Sequence, residues 1–216
     1  MTRLSTRAAR LGAVAVAAAL LSGCGINNIP TYDEQAKAEF ADVQAAYQRR
    51  ADLIPNLVAT VQGAAAQERT TLREVIEARS RATSIQLTPE MVSDPQAMAR
   101  FQAAQDQLSG ALSRLLVVSE NYPQLQSNQN FLALQNELER TENRINIARQ
   151  DYNEAVRRLN TEMRTFPGSI WANTVHSGVD PARPFQASAT AQTAPQVRFD
   201  DPGAPPPAPA VALPAQ

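Results

Sequence analysis

Between Ser127 and Phe166 an apolar residue returns at every seventh position: Phe131, Leu138, Ile145, Tyr152 and Leu159. Leu134, Ala148 and Ala155 fill the second position of the seam, with Val156 and Met163 alongside. Seven residues are two turns of an α-helix, so the repeat returns to one face, and a stripe this long fits a helix laid along other helices. At 1.5 Å per residue it predicts a rod about 55–60 Å long. Ser127 or Asn128 can cap its start, and Pro167-Gly168 stops it.

The rest of the middle of the chain follows the same logic. Phe101, Leu108, Leu115 and Tyr122 are spaced by seven, with Met98 and Leu112 beside them. Asp94-Pro95 supplies an N-cap and a proline at the first helical position, and Pro123 ends the run. Further upstream, Ile54, Val58, Val61, Ala65, Leu72, Val75 and Ile76 make a third stripe. A loop is expected at about residues 84–88, with Thr88-Pro89-Glu90 restarting the chain. The first segment runs from about Asp33 to Arg50 with Phe40, Val43 and Tyr47 as its apolar face. Pro55 lies between it and the third stripe and removes the helical bond to Ala51. No turn residues surround it, so a kink in one long helix is expected. With few glycines and only 5% aromatic residues, the composition suits an aliphatic helical core. The expected fold is all-α: an antiparallel four-helix bundle of long helices, its first two segments joined at a Pro kink.

The two ends of the chain read differently. Arg3, Arg7 and Arg10 precede an apolar run, Leu11 to Leu21, too short to be a stable membrane anchor. Leu21-Ser22-Gly23-Cys24 then resembles a lipobox, which makes residues 1–23 a lipoprotein signal peptide and Cys24 the lipidated residue. Acyl chains at about 0.8 kcal/mol per buried CH₂ give lasting attachment when two or three are present. Gly25, rather than Asp, follows the cysteine; by resemblance to enterobacterial sorting this favours the periplasmic face of the outer membrane, with the inner membrane as the alternative. Residues 24–32 read as a lipidated tether, 33–185 as the bundle, and 186–216, rich in Ala, Pro and Gln, as a disordered tail. The tail reads as a loose end, or as a Pro-rich ligand or spacer.

Charge excludes some partners. Loss of residues 1–23 removes three arginines and no acid, leaving 17 bases against 21 acids. That balance lacks the clustered basic face of a nucleic-acid binder or a polybasic membrane surface. Cys24 is the only cysteine, so no disulfide is available.

Several stretches resemble the LemA family, over about residues 40–185. The most specific is Arg50-Ala51-Asp52-Leu53-Ile54-Pro55-Asn56-Leu57-Val58, followed by Val61-Gln62-Gly63 with Glu68, and Ala78-Arg79. Then come Glu120-Asn121-Tyr122-Pro123-Gln124-Leu125, Leu134-Gln135-Asn136-Glu137-Leu138-Glu139 and Thr141-Glu142-Asn143-Arg144-Ile145. Ala148-Arg149, Tyr152-Asn153 and Phe166-Pro167 complete the series. The family usually carries Tyr and His in the stretch that reads Gly63-Ala64-Ala65-Ala66-Gln67-Glu68 here, and many members keep a transmembrane helix where this chain has a lipobox. The resemblance implies a membrane-tethered antiparallel helical bundle whose biochemical role is open. It also implies an envelope protein partner, such as a membrane protease or a TPM-domain protein, whose genes often neighbour those of the family.

Candidate functional residues follow from the same motifs: Arg50, Asp52, Asn56, Glu68, Arg79, Glu120, Tyr122, Glu142, Asn143, Arg149, Tyr152 and Asn153. Nucleophilic or zinc chemistry has poor raw material, because His176 is the only histidine and reads as a surface or packing residue. No catalytic residue, metal ligand or cofactor is assigned. Glu68 falls in the series Ile54, Val61, Glu68, Val75 and so points to the core face, where a carboxylate needs a partner such as Arg79, Arg144 or Arg149. It reads as part of a structural polar network, as a metal or substrate ligand, or as an interaction surface. Arg49-Arg50 with Asp52 reads as a binding patch beside Pro55 or as a solvated face with local ion pairs. The favoured function is a non-enzymatic interaction or scaffold module tethered in the cell envelope. The alternative is a carboxylate-based hydrolytic or metal-dependent enzyme.

Overall fold

A computed structural model describes residues 25–85, 88 and 92–186; residues 1–24, 86–87, 89–91 and 187–216 lie outside the described residues, and with them the signal-peptide expectation for 1–23, the lipidation of Cys24, the restart at Pro89-Glu90 and nearly all of the expected tail. Among those described, the regular structure is helical and no strand occurs. The helices are α1 (Asn28–Ala64), α2 (Arg69–Ser84), α3 (Pro95–Ser119), α4 (Pro123–Gln126), α5 (Gln129–Arg164) and α6 (Gly168–Asn173). No helix among the described residues is long and apolar enough to cross a membrane.

Cross-helix contacts fix the directions. Asn28 reaches Glu162 at 3.1 Å and Arg49 reaches Glu137 at 2.8 Å, so α1 and α5 run antiparallel along their length. Glu74 on α2 meets Arg114 on α3 at 3.1 Å, and Arg79 on α2 meets Ala51 on α1. The four long helices therefore alternate in direction. The seven-residue stripe of α5 faces inward as its spacing requires: Phe131, Leu138, Ile145, Tyr152 and Leu159 are all buried. Asn128 is the cap, its side chain accepting from the backbone N–H groups of Asn130 and Phe131. Asp94 caps α3 by accepting from Gln96 N–H at 2.8 Å, with Pro95 at the first helical position.

Three boundaries differ from those expected. Residues 25–32 are not a free tether: α1 begins at Asn28, and Ile29 is fully buried because its side chain completes the core beside α5. The helix runs on through Pro55, in keeping with one long helix over the first two segments, but it ends at Ala64, and the chain turns at residues 65–68, where Ala65 leaves helical geometry at φ −132°, ψ 55°. That turn changes the helical phase, so Ile76, expected on the stripe, is half exposed while Val75 stays buried. Helix α3 stops at Ser119, before Pro123; the proline opens the one-turn α4, and Tyr122 sits between the two helices rather than on the α3 seam.

The core is split along its length. One half packs Phe40, Val43, Tyr47, Phe101, Ile145 and Tyr152 with neighbours near the chain's entry. The other packs Ile54, Leu57, Val61, Leu108, Leu115 and Leu138 with α2. Between Tyr47 and Ile54 on α1, and between Phe101 and Leu108 on α3, lies a layer of polar side chains.

Beyond α5 the chain doubles back. A Cβ at Gly168 would run into the carbonyl oxygen of Glu162, so only glycine lets α6 fold this tightly onto the last turn of α5. The segment after α6 then returns as an extended strap whose Ala182 and Phe185 are buried.

Candidate functional site

Arg50 occupies the middle of the polar layer. It falls three residues after Tyr47 and four before Ile54, on the buried face of α1, and is only 2% exposed. Its guanidinium reaches from α1 to two other helices, α3 and α5. Nη1 donates to Ser109 Oγ at 2.8 Å and to Glu142 Oε2 at 2.9 Å. Nη2 donates to the Gln105 side chain at 2.7 Å and to the Gln105 carbonyl at 3.3 Å. The charged group also lies over the Tyr47 ring, 5.1 Å from its centre. The Nε group has no partner among the described residues. Buried ions need this many contacts because transfer from water is costly. Glu142 supplies the counter-charge from a half-exposed position. Gln105 and Thr141, buried on α3 and α5, complete the layer. Neither is among the candidate residues, although Thr141 opens one of the LemA-like stretches and Gln105 lies four residues after Phe101, on the buried face.

Arg79 serves a different need. Pro55 has no N–H, which leaves the Ala51 carbonyl four residues earlier without its helical donor. Arg79 Nε fills that vacancy from α2 at 2.7 Å. The motif residues around 51–55 and 78–79 are thus two halves of one contact.

Glu68 is half-buried in the turn between α1 and α2, and its partner is not an arginine. The Tyr122 hydroxyl donates to Glu68 Oε1 at 2.6 Å, tying that turn to the turn after α3. The hydrogen bond to the carboxylate holds the Tyr122 phenol above its ordinary pKa, since the proton is needed to make it.

Tyr152, Asn153 and Arg149 hold the strap. The Tyr152 hydroxyl donates to the Arg183 carbonyl at 2.9 Å. The Asn153 amide pairs with the Phe185 backbone in both directions, accepting from its N–H at 2.8 Å and donating to its carbonyl at 3.2 Å. Arg149 lies 5.0 Å from the centre of the Phe185 ring. Phe185 enters an aromatic cluster with Phe40, Tyr152 and Phe101, and burial pushes the Tyr152 phenol well above its ordinary pKa. Burial also raises Tyr47, against the opposing pull of Arg149 and Arg50. The strap was expected only as the end of the bundle; a buried Phe beyond the helical repeat was its sole sequence signal.

The remaining candidates face outward. Asp52, Asn56, Glu120 and Asn143 are exposed, and Asp52 accepts from Gln48 at 2.7 Å rather than pairing with Arg49 or Arg50. Arg49 is exposed and pairs with Glu137, so the two adjacent arginines separate, one to the surface and one to the core. His176 Nε2 lies 2.7 Å from the Ile26 carbonyl, which puts the proton on that nitrogen and pins the entering chain.

A family model described as the LemA family matches residues 39–199. The chain belongs to the LemA family. No curated protein matches it. The LemA motif residues of this chain therefore divide into those that join helices and those that stay at the surface. Among the described residues no three His, Cys, Asp or Glu side chains gather as a metal-ligand set. A groove of about 840 Å³ lies between α1 and α5. Glu39, Asp42, Arg140, Arg144 and Asp151 line it, around the exposed side chain of Ile147. Such a floor of mixed charge around an apolar residue suits a folded partner's polar surface more than a small apolar ligand.

Proposed function

We propose that this LemA-family chain is an envelope lipoprotein, lipidated at Cys24, whose helical unit is a non-enzymatic interaction module. The observation that carries the reading is the use of the motif side chains. Arg50, Glu68, Arg79, Tyr152 and Asn153 are each engaged with another element of the same fold. Their work is to fix helix register and hold a rigid form. The side chains left for a partner are those of the α1–α5 groove and its surroundings. The partner is an envelope protein, of the kind represented by a membrane protease or a TPM-domain protein. The lipid sets the location, and the preformed helical face limits the ordering cost of binding.

Photocrosslinkers placed at Asp42 and Arg144 in cells test this. One dominant envelope protein should be captured from both positions and not from Glu77, which lies on α2. Capture that is the same from all three positions would count against the groove. A purified chain with reproducible hydrolytic turnover, lost in Glu68→Gln, would overturn the non-enzymatic reading.

A further inference from the structure

Seven large hydrophobic side chains are notably exposed among the described residues, and three of them, Phe166, Ile170 and Val175, fall within ten positions of each other. Phe166 is 82% exposed, the most of the seven. The other four, Ile76, Val117, Leu132 and Ile147, are spread over α2, α3 and α5. Scattered apolar residues on a surface are ordinary, whereas a cluster marks a contact.

The cluster lies where the chain enters the fold. Gly25 packs near Pro167 and Glu162, Asn28 bonds Glu162, and the Ile26 carbonyl bonds His176. The two turns that flank α6, one carrying Phe166 and the other Val175, are therefore both held against residues 25–28, through Glu162 and Pro167 on one side and His176 on the other. Cys24 is one peptide from Gly25, with adjacent Cα atoms about 3.8 Å apart. A lipid on Cys24 would be attached one residue before Gly25, where the contacts with this corner begin.

We infer that the Phe166, Ile170 and Val175 corner inserts its side chains into the headgroup–acyl boundary of the bilayer that holds the Cys24 lipid. This inference rests on the lipid-anchor reading above. It makes the corner a second membrane contact that restrains how the bundle leans from its anchor. Apolar side chains at an interface lie about 5–10 Å into that boundary, a depth consistent with an anchor only one residue away. The charged residues nearest in sequence, Glu162, Arg164 and Asp180, are of both signs, so the contact is driven by apolar burial and not by anionic lipid.

The lipidated full chain, reconstituted into phosphatidylcholine vesicles, tests the inference. Cys24 is the only native cysteine and is blocked by the lipid, so an environment-sensitive fluorophore can be placed by Phe166→Cys or Val175→Cys, with Val117→Cys and Ile76→Cys as references. Labels at Phe166 and Val175 should shift to the blue and be quenched by nitroxide lipids, with no dependence on salt; those at Val117 and Ile76 should report water. A chain that floats with vesicles while all four labels report water overturns this inference alone. A chain that fails to float overturns the lipid-anchor reading, and this inference with it. Burial of the Phe166 label that follows protein concentration without vesicles would assign the corner to a second copy of the chain and likewise overturn it.

Discussion

Arg79 donates a 2.7 Å hydrogen bond from its Nε to the carbonyl oxygen of Ala51, the acceptor that Pro55 strips of its helical donor. A proline inside a helix normally costs about 3 kcal/mol relative to alanine. Part of that cost is an unpaired carbonyl, and α2 corrects it from outside the helix. The correction also fixes the register of α2 on α1, because only one position of α2 brings Arg79 to Ala51.

The pair predicts a coupled double-mutant cycle. Arg79→Ala should destabilise the chain by about 1–3 kcal/mol, the range for leaving a half-buried acceptor unpaired. Pro55→Ala restores the N–H that Ala51 lacks, so Arg79→Ala should cost less than half as much in that background. Urea unfolding followed by circular dichroism measures both. Equal losses in the two backgrounds would show that Arg79 acts through something other than the carbonyl.

The two Glu–Arg contacts between α1 and α5 should behave unequally. Glu142→Gln leaves the Arg50 charge buried without a counter-charge and should cost about 1–3 kcal/mol, softened because Glu142 is half exposed. Glu137→Gln disturbs only the exposed Arg49 pair and should cost about 0–1 kcal/mol. Thermal melts that rank Glu137 above Glu142 would remove Arg50 from the centre of the layer.

Much of this was legible from residue spacing. The seven-residue stripe of α5, the Asp94 and Asn128 caps and the four long helices all follow from local pattern. Local pattern fails where a contact comes from afar. The break at residues 65–68 has no glycine or proline at its centre, so nothing in the periodicity separated α1 from α2. Arg50 looked like half of a basic surface pair, although its position between Tyr47 and Ile54 placed it on the core face. The strap was hidden because Ala182 and Phe185 are held by side chains of α5 roughly 20–30 residues earlier, a pairing that no repeat encodes. The vacancy at Ala51 could be read from Pro55, but not the residue that fills it.

Alkaline pH should weaken the fold through its buried tyrosines. Burial raises Tyr152 and Tyr47 above the ordinary value near 10. Above that pH the unfolded chain releases protons that the folded chain retains, so the stability these groups contribute is intact below about pH 10 and is lost as pH climbs toward their folded values. Each contributes a slope of up to about 1.4 kcal/mol per pH unit. Tyr152→Phe should lower stability at neutral pH, by loss of the Arg183 contact, and flatten the alkaline decline. An unchanged slope in that variant would mean that Tyr152 titrates normally.

Asn153 should control the strap and little else. Its amide both donates to and accepts from the Phe185 backbone. Asn153→Ala should cost about 1–3 kcal/mol and hasten protease cleavage near residues 177–186, while α1–α3 stay protected. Cleavage at the wild-type rate would place the hold on the strap in Tyr152 and the aromatic cluster instead.

Cys24→Ser should separate location from fold. The first helix begins at Asn28, and the buried core residues of the described fold run from Ile29 onward. The variant should therefore be released into the soluble envelope fraction, or retained with its signal segment uncleaved, and either form should melt within about 0.5 kcal/mol of the native unit, as expected of a change outside the packed core. Fractionation and metabolic labelling with a fatty acid distinguish the cases. A Cys24→Ser chain that stays membrane-bound at the mature size, with no label incorporated even by the native sequence, would mean that something other than a lipid on Cys24 holds this fold at its membrane.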